Sequence, residues 1–481
     1  MEYTRRHFIS LLGGCAAASI PFGCNRFRKS IGSSTKPNFV IIFTDDQGYE
    51  DLSCFGSPNI RTPHVDRMAR QGIRLTDFYA ASSVCTPSRA ALLTGCYSKR
   101  VGIDTVFWPK GDQRHANTPD NWKTGLHPDE VTIADMLKPA GYTSACIGKW
   151  HLGDQPPFLP TNNGFDYYYG VPYSNDMLPV PPNKRGKPGT KYAAVLRNTT
   201  VVEKPIDDMS RLTARYTQES LSFIRSCANE NKPFFLYLSH TMPHTPLAPG
   251  KLFAGTNERR GAYGEAVEEI DWSTGEILNL LDSLGLAENT IIVFTSDNGP
   301  APTRKIPLGS ANPLSGTKFQ TLEGGFRVPC VIRWPGRVPA GVVSTAMATT
   351  MDLFPTFADL ANVPTPQDRV IDGETLRPLL VNPNDPKIEH KPFLYYQMDG
   401  SLQAIRSGKW KYHLDVETPE WGDTDVRDAL FDLSTDPAET HNLAEAHPDV
   451  VNRLSLQART IDTEIRRNSR PLGHLDSLSN G

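Results

Sequence analysis

The sequence predicts an α/β fold: a large, mostly parallel sheet sandwiched by helices, with a smaller C-terminal α+β domain after it. Three observations carry this. Short uninterrupted apolar runs recur at Asn38-Phe39-Val40-Ile41-Ile42-Phe43-Thr44, Pro233-Phe234-Phe235-Leu236-Tyr237-Leu238 and Thr290-Ile291-Ile292-Val293-Phe294-Thr295. Such runs, lacking polar alternation, read as strands buried on both faces, as in a covered parallel sheet. Helical stretches around 212–224 and 266–284 precede the second and third runs, and strands alternating with helices build that architecture. After about residue 380 the pattern changes: 393–396, 403–406 and 409–414 look like antiparallel strands with tight turns, and a helix follows from Pro448 to Arg467. We expect one domain over 36–380 and a second over 385–475.

The 481 residues suffice for both domains. A formal charge of -3 with well-mixed signs gives no nucleic-acid footprint, and no apolar run is long enough to span a membrane. Residues 1–30 read as a signal segment. Arg5-Arg6-His7-Phe8-Ile9 precedes a short apolar stretch to Ile20, with a twin-arginine flavour. Cys24 closes Ile20-Pro21-Phe22-Gly23-Cys24 and is a candidate for lipidation, although Pro21 is unusual for such signals. Either way export is expected, to a periplasm or cell surface. Cys15 and Cys24 fall in the leader; Cys54, Cys85, Cys96, Cys146, Cys227 and Cys330 show no CxxC spacing, so neither zinc nor a disulfide framework is indicated.

Taken in order, the first strand delivers Asp45-Asp46, and Thr62-Pro63 then opens a helix with Thr62 as its cap. Val84-Cys85-Thr86-Pro87-Ser88-Arg89-Ala90-Ala91-Leu92-Leu93-Thr94-Gly95 places a thiol at a helix mouth: Pro87 fits the first turn, Ala90 to Leu93 favour helix, and Gly95 stops it. That position offers unpaired N–H groups to an anion and tends to lower a thiol's pKa. Arg89 lies one turn on, on the same face. Between Asp104 and Gly125, Trp108, Lys110, Arg114, His115 and Trp122 make a loop-like stretch suited to sugar rings and acidic groups, and Tyr167-Tyr168-Tyr169 through Tyr173 make a second.

Gly148-Lys149-Trp150-His151-Leu152-Gly153 sets Lys149 and His151 on one side of an extended segment, with Trp150 inward. Ser239-His240-Thr241-Met242-Pro243-His244-Thr245-Pro246 follows the second strand with two histidines, and Asp297-Asn298 follows the third. Acidic pairs directly after buried strands would converge at the strand ends and repel unless a cation neutralises them, and all-oxygen donors favour Ca²⁺ or Mg²⁺ over zinc. Last come Ser315-Gly316-Thr317-Lys318 and Glu323-Gly324-Gly325-Phe326-Arg327-Val328-Pro329.

The Cys85 string resembles the maturation signature of the type I, formylglycine-dependent sulfatases, a family of alkaline-phosphatase-like fold, and matches every fixed position. The resemblance extends from Asn38 to Asp436-Pro437-x-Glu439 and looks nearest to the arylsulfatase A and N-acetylgalactosamine-6-sulfatase branch. It implies that a maturation enzyme converts Cys85 to formylglycine, whose hydrate attacks sulfur. It further implies a cation, Ca²⁺ by family precedent, held by Asp45, Asp46, Asp297, Asn298 and an oxygen at position 85. Arg89, Lys149 and Lys318 become the sulfate ligands and His151 a base. His244 becomes the catalytic histidine in preference to His240, while Glu323 and Arg327 brace the lysine loop. The expected substrate is a sulfated carbohydrate. Two alternatives are a formylglycine phosphonate or phosphodiester hydrolase and an inactive relative that binds sulfated glycans.

Overall fold

The computed structural model describes residues 36–110, 120–177, 194–203, 206, 208–302, 308–417 and 426–478. The expected signal segment with Cys24, together with Arg114 and His115, lies outside the described residues.

The predicted first strand is Asn38–Thr44, buried throughout because the sheet is covered on both sides. Phe39, Ile41 and Phe43 face one apolar cluster, while Val40 and Ile42 face the other. Each such side chain removed from water stabilises the fold by roughly 1.5–3 kcal/mol. The sheet has ten strands, in the order 342–344, 73–75, 330–333, 290–296, 38–44, 234–239, 143–149, 167–171, 195–197 and 200–203. From 290–296 to 167–171 the neighbours run parallel, and the strands on either flank pair antiparallel to this block. A separate four-stranded antiparallel sheet comes next in the chain, over 393–396, 402–407, 410–413 and 429–432. Helix Pro448–Arg467 contributes Leu454, Ala458 and Ile465 to the apolar cluster of this sheet. The fold class is the one predicted.

Two local expectations change. Thr62 does not cap helix Pro63–Gln71 with its side chain. Its hydroxyl accepts from the Ser53 amide, and the Asp271 carboxylate receives the His64 and Val65 N–H groups instead. The tyrosine run is not a substrate loop: Tyr167–Val171 is a strand of the main sheet, with Tyr168 and Tyr169 buried. Tyr167 donates to Glu219 at 2.5 Å, and the Arg197 guanidinium lies over the Tyr169 ring.

Register sets the site. Thr44 pairs with Ser296, Phe43 with Ser239, and Gly148 with Ser239. Four parallel strands therefore end level, so the residues directly after each strand meet at the carboxyl edge, where such sheets place their ligands.

Candidate active site

Helix Cys85–Thr94 is buried along its whole length and stops at Gly95, whose φ of 67° lies in the left-handed region. Its first residue, Cys85, is therefore presented from within the protein, only 2% exposed. Burial pushes the thiol pKa up despite the nearby Lys149 and Lys318 charges. That reverses the effect expected of a helix mouth. An unmodified thiol here stays protonated and is a poor nucleophile.

Three fully or nearly fully buried cations surround the carboxylates. Arg89 Nη2 donates to Asp297 Oδ2 at 2.7 Å and lies 3.6 Å from Asp45 Oδ2. Lys149 Nζ donates to Asp45 Oδ2 at 2.6 Å, and Lys318 Nζ to Asp46 Oδ1 at 2.6 Å. Burial opposes ionisation of Asp45, but Lys149 and then its other cationic neighbours hold its pKa well below the usual carboxylate range. Burial first and the Asp45 charge second push Asp297 the other way. Burial works against the charges of Arg89 and Lys318, yet Asp297 and Asp46 respectively keep both firmly protonated.

Close backbone approach makes room for this cluster. Gly148, at φ 112°, packs so tightly on the next strand that a Cβ would lie 1.8 Å from Ser239 O. The Ser239 hydroxyl in turn accepts from Arg89 Nη1, and Ser174 Oγ takes a 3.3 Å bond from Lys149. Ser174 lies in none of the strings the sequence singles out, whereas Ser239 opens the two-histidine string and ends a buried strand level with Thr44 and Ser296, where a strand-end rule would look.

The histidines separate by their surroundings. His151 is buried and neutral, because burial first and the Lys149 and Arg89 charges next hold its pKa far down. Its Nε2 faces the Phe107 carbonyl at 3.0 Å, which can only accept, so the ring proton sits there. Nδ1, buried and without a partner among the described residues, keeps its lone pair. His244 Nδ1 faces the Thr245 carbonyl at 2.6 Å, which turns Nε2 towards Asp46 Oδ2 at 3.6 Å. His240 is enclosed against Tyr216, and burial lowers its pKa to about 3.

The donor set suits a hard cation. Asp45 Oδ1 and Asn298 Oδ1 are buried acceptors without a partner among the described residues, a costly state unless a cation or water fills it. Asn298 Nδ2 binds Asp46 Oδ1 at 2.8 Å, and Asp297 Oδ1 accepts from the Asp46 amide at 3.1 Å. Ligand atoms of Asp45, Asp46 and His244 lie within 4.8 Å of one another. His244 thus stands among the carboxylates, a placement its motif did not suggest. Of the aromatic loop, Trp108 and Trp122 line a small cavity with His151, Asp154 and Tyr173. Lys110 Nζ lies 4.4 Å from the Trp122 ring centroid.

The carboxyl edge of the α/β sheet thus gathers three buried cations, three carboxylates and a helix-mouth residue, groups that can bind an anion and a cation side by side. The sulfatase family model matches residues 37–363, and a model of the N-sulphoglucosamine sulphohydrolase C-terminal region matches 317–463. The chain is 40% identical to rat (Rattus norvegicus) N-acetylgalactosamine-6-sulfatase over 399 residues, 81% of this chain and 74% of that one. It is 36% identical to human arylsulfatase A over 454 residues, 87% and 86% of the two chains. The crystal structure of Ps i-CgsB in complex with k-i-k-neocarrahexaose superposes with a TM-score of 0.77 at 28% identity, covering 91% of this chain and 94% of that one. The chain belongs to the sulfatase family and is a sulfuric ester hydrolase. Among the described residues, no helix is long and apolar enough to cross a membrane.

Proposed function

We propose that this enzyme removes sulfate esters from carbohydrates, with formylglycine at position 85 and one hard divalent cation, Ca²⁺ before Mg²⁺. The observation that carries the reading is the level ending of four strands, which sets Asp45, Asp46, Lys149, Asp297 and Asn298 around the mouth of the Cys85 helix. Asp45, Asp46, Asp297 and Asn298 would hold the cation, which would neutralise the packed carboxylates and favour ionisation of a hydroxyl, and formylglycine at position 85 would supply that hydroxyl as a hydrated aldehyde.

The chain's own residues do the rest. Arg89, Lys149 and Lys318, all buried, present fixed positive charge to the sulfuryl oxygens. His151 Nδ1 accepts a proton from the hydroxyl at position 85 as sulfate leaves. A sugar alkoxide is a poor leaving group, so Lys318 or His244 donates a proton to its oxygen. Trp108 and Trp122 offer aromatic faces to the sugar beside His151. The names of the relatives support a glycan substrate, and N-acetylgalactosamine 6-sulfate heads the compounds to test. Residues 36–380 form the catalytic unit and 385–475 a C-terminal one. The leader at 1–30 directs export to the periplasm or cell surface, with Cys24 open to lipidation.

The deciding experiment combines peptide mass spectrometry of active protein with rates on sulfated sugars, 4-nitrophenyl sulfate, and aryl phosphate and phosphonate. We expect the aldehyde at position 85 and the highest kcat/KM on a sulfated sugar. Full activity with an intact thiol, or a preference for phosphonate, refutes the proposal.

A further inference from the structure

A second buried ion cluster lies away from the carboxylate centre, where the four-stranded sheet meets the loop that carries Lys318. Lys411, on strand Trp410–His413, has no exposed side-chain surface. Its Nζ donates to the Thr321 carbonyl at 2.9 Å and lies 3.1 Å from Glu323 Oε1 and 2.8 Å from Glu439 Oε1. Glu439 Oε2 accepts the Glu323 backbone N–H at 2.6 Å, while its Oε1 also accepts from His413 Nε2 at 2.8 Å. Tyr395 donates to Glu323 Oε1 at 2.9 Å. Two main-chain groups of the loop thus bond to side chains of the C-terminal region.

The same loop is tied on its other side to the active centre. The Lys318 amide donates to Pro300 O, the Phe319 amide to Ser83 O, and the Gly299 amide to Gly325 O. Gly299 and Pro300 come directly after Asp297-Asn298, and Ser83 lies two residues before Cys85. Phe319 holds φ at 75°, a conformation a bulky side chain adopts only where its surroundings fix it. Apolar side chains would hold two sheets together at less electrostatic cost than this cluster does. What charged groups add is a directional grip on particular backbone atoms, here Thr321 O and Glu323 N.

We propose that Lys411 and Glu439 are positioning residues: they fix the 315–325 loop so that the Lys318 ammonium reaches the leaving-group oxygen. The C-terminal sheet is then a working part of the active centre. The inference rests on the leaving-group role proposed for Lys318, and the test separates the two.

The readout is the ratio of kcat on a sugar sulfate to kcat on 4-nitrophenyl sulfate, in the metal-loaded, matured enzyme. Nitrophenolate leaves without a proton and a sugar alkoxide does not, so Lys318→Ala should lower the ratio about tenfold or more. Glu439→Gln and Lys411→Met should each lower it at least about threefold, and add nothing to the ratio change in a Lys318→Ala background. A merely destabilised protein loses both rates together and leaves the ratio unmoved. Hydrogen exchange of amides 317–325 supplies a second measure, expected to speed about tenfold or more in either variant, while the amides of 290–296 stay protected. An unchanged ratio in the Glu439 and Lys411 variants, where Lys318→Ala does change it, overturns the inference. Unchanged exchange overturns it too, whatever Lys318 does. An unchanged ratio in Lys318→Ala refutes only the role of Lys318, leaving exchange to judge the positioning.

Discussion

Asp297→Asn separates two ways in which a cation can sit in this centre. Asp297 has no exposed surface and accepts from both Arg89 Nη2 and the Asp46 amide. Asparagine keeps the size but turns an N–H₂ towards one of those donors, so Arg89 retains only Asp45 at 3.6 Å as a counter-charge. Leaving such a partner short costs about 1–3 kcal/mol. For 481 residues the unfolding entropy is about 1 kcal/mol per kelvin, so each kcal/mol moves Tm by about 1 °C. In metal-free Asp297→Asn that loss is set against relief of the burial and the Asp45 repulsion that push the Asp297 pKa up, so Tm should stay within about 3 °C of the parent.

The metal increment is the sharper test. Ca²⁺ at one hundred times its Kd stabilises the parent by about 2.7 kcal/mol, or about 3 °C. With Asp297 as a ligand, the increment in Asp297→Asn should fall below about 1 °C. Calorimetry of chelator-stripped protein with and without Ca²⁺ measures both quantities. Should the cation instead sit among Asp45, Asp46 and His244, whose ligand atoms cluster within 4.8 Å, His244→Ala would lose the increment and Asp297→Asn would keep it. That result would refute the assignment of Asp297.

Three other perturbations have defined outcomes. Gly148→Ala drives a Cβ to 1.8 Å from Ser239 O at a backbone φ of 112°. It should cost at least about 2 kcal/mol and most of the turnover, read by chemical denaturation and by rate. His390 pairs with Asp352 at 3.0 Å, and although burial opposes its charge, the Asp352 carboxylate raises its pKa to about 9. Because the folded pKa lies above the unfolded value of 6.5, this stabilisation is complete below pH 6.5 and is lost as pH rises through 9. His390→Gln should thus cost on the order of 3 kcal/mol at pH 6 and almost nothing near pH 10 in denaturant titrations, and a pH-independent cost would refute the pair. Finally, Trp108→Ala with Trp122→Ala should lower turnover of a sulfated oligosaccharide far more than that of 4-nitrophenyl sulfate. Equal losses would make the loop a scaffold.

What the sequence made legible depended on where each element's cause lies. Strand Asn38–Thr44 is readable because two covered faces demand an apolar run, and helix Pro448–Arg467 because Pro448 opens it and Leu454, Ala458 and Ile465 mark one face. Long-range causes stayed hidden. Nothing near Thr62 reveals that Asp271, from a distant helix, receives the first amides of Pro63–Gln71. Tyr167-Tyr168-Tyr169 suggests a sugar-facing loop until pairing with 143–149 and 195–197 makes it a strand. The Cys85 thiol shows the same division: the helix mouth is local and readable, whereas the burial that outweighs it comes from the whole fold. At the centre, motifs pointed to the ionic groups, but not to Ser174, which binds Lys149, nor to His244 among the carboxylates.

Charge balance would give the proposed cation a second task. Arg89, Lys149 and Lys318 match Asp45, Asp46 and Asp297 one for one, all within the buried centre. By itself this set is formally neutral, and each lysine ammonium already has a carboxylate oxygen at 2.6 Å. A sulfate monoester entering such a site would compete with those carboxylates for the same cations, at a full desolvation cost. A divalent cation on the carboxylates would shift the balance to a formal charge of two positive and occupy their lone pairs, so that Lys149 and Lys318 could face the ester. On the proposed reading, metal and anionic substrate should therefore bind with positive coupling: a cation held by the carboxylates would leave the lysines free for sulfate, and bound sulfate would tighten the metal by the same factor.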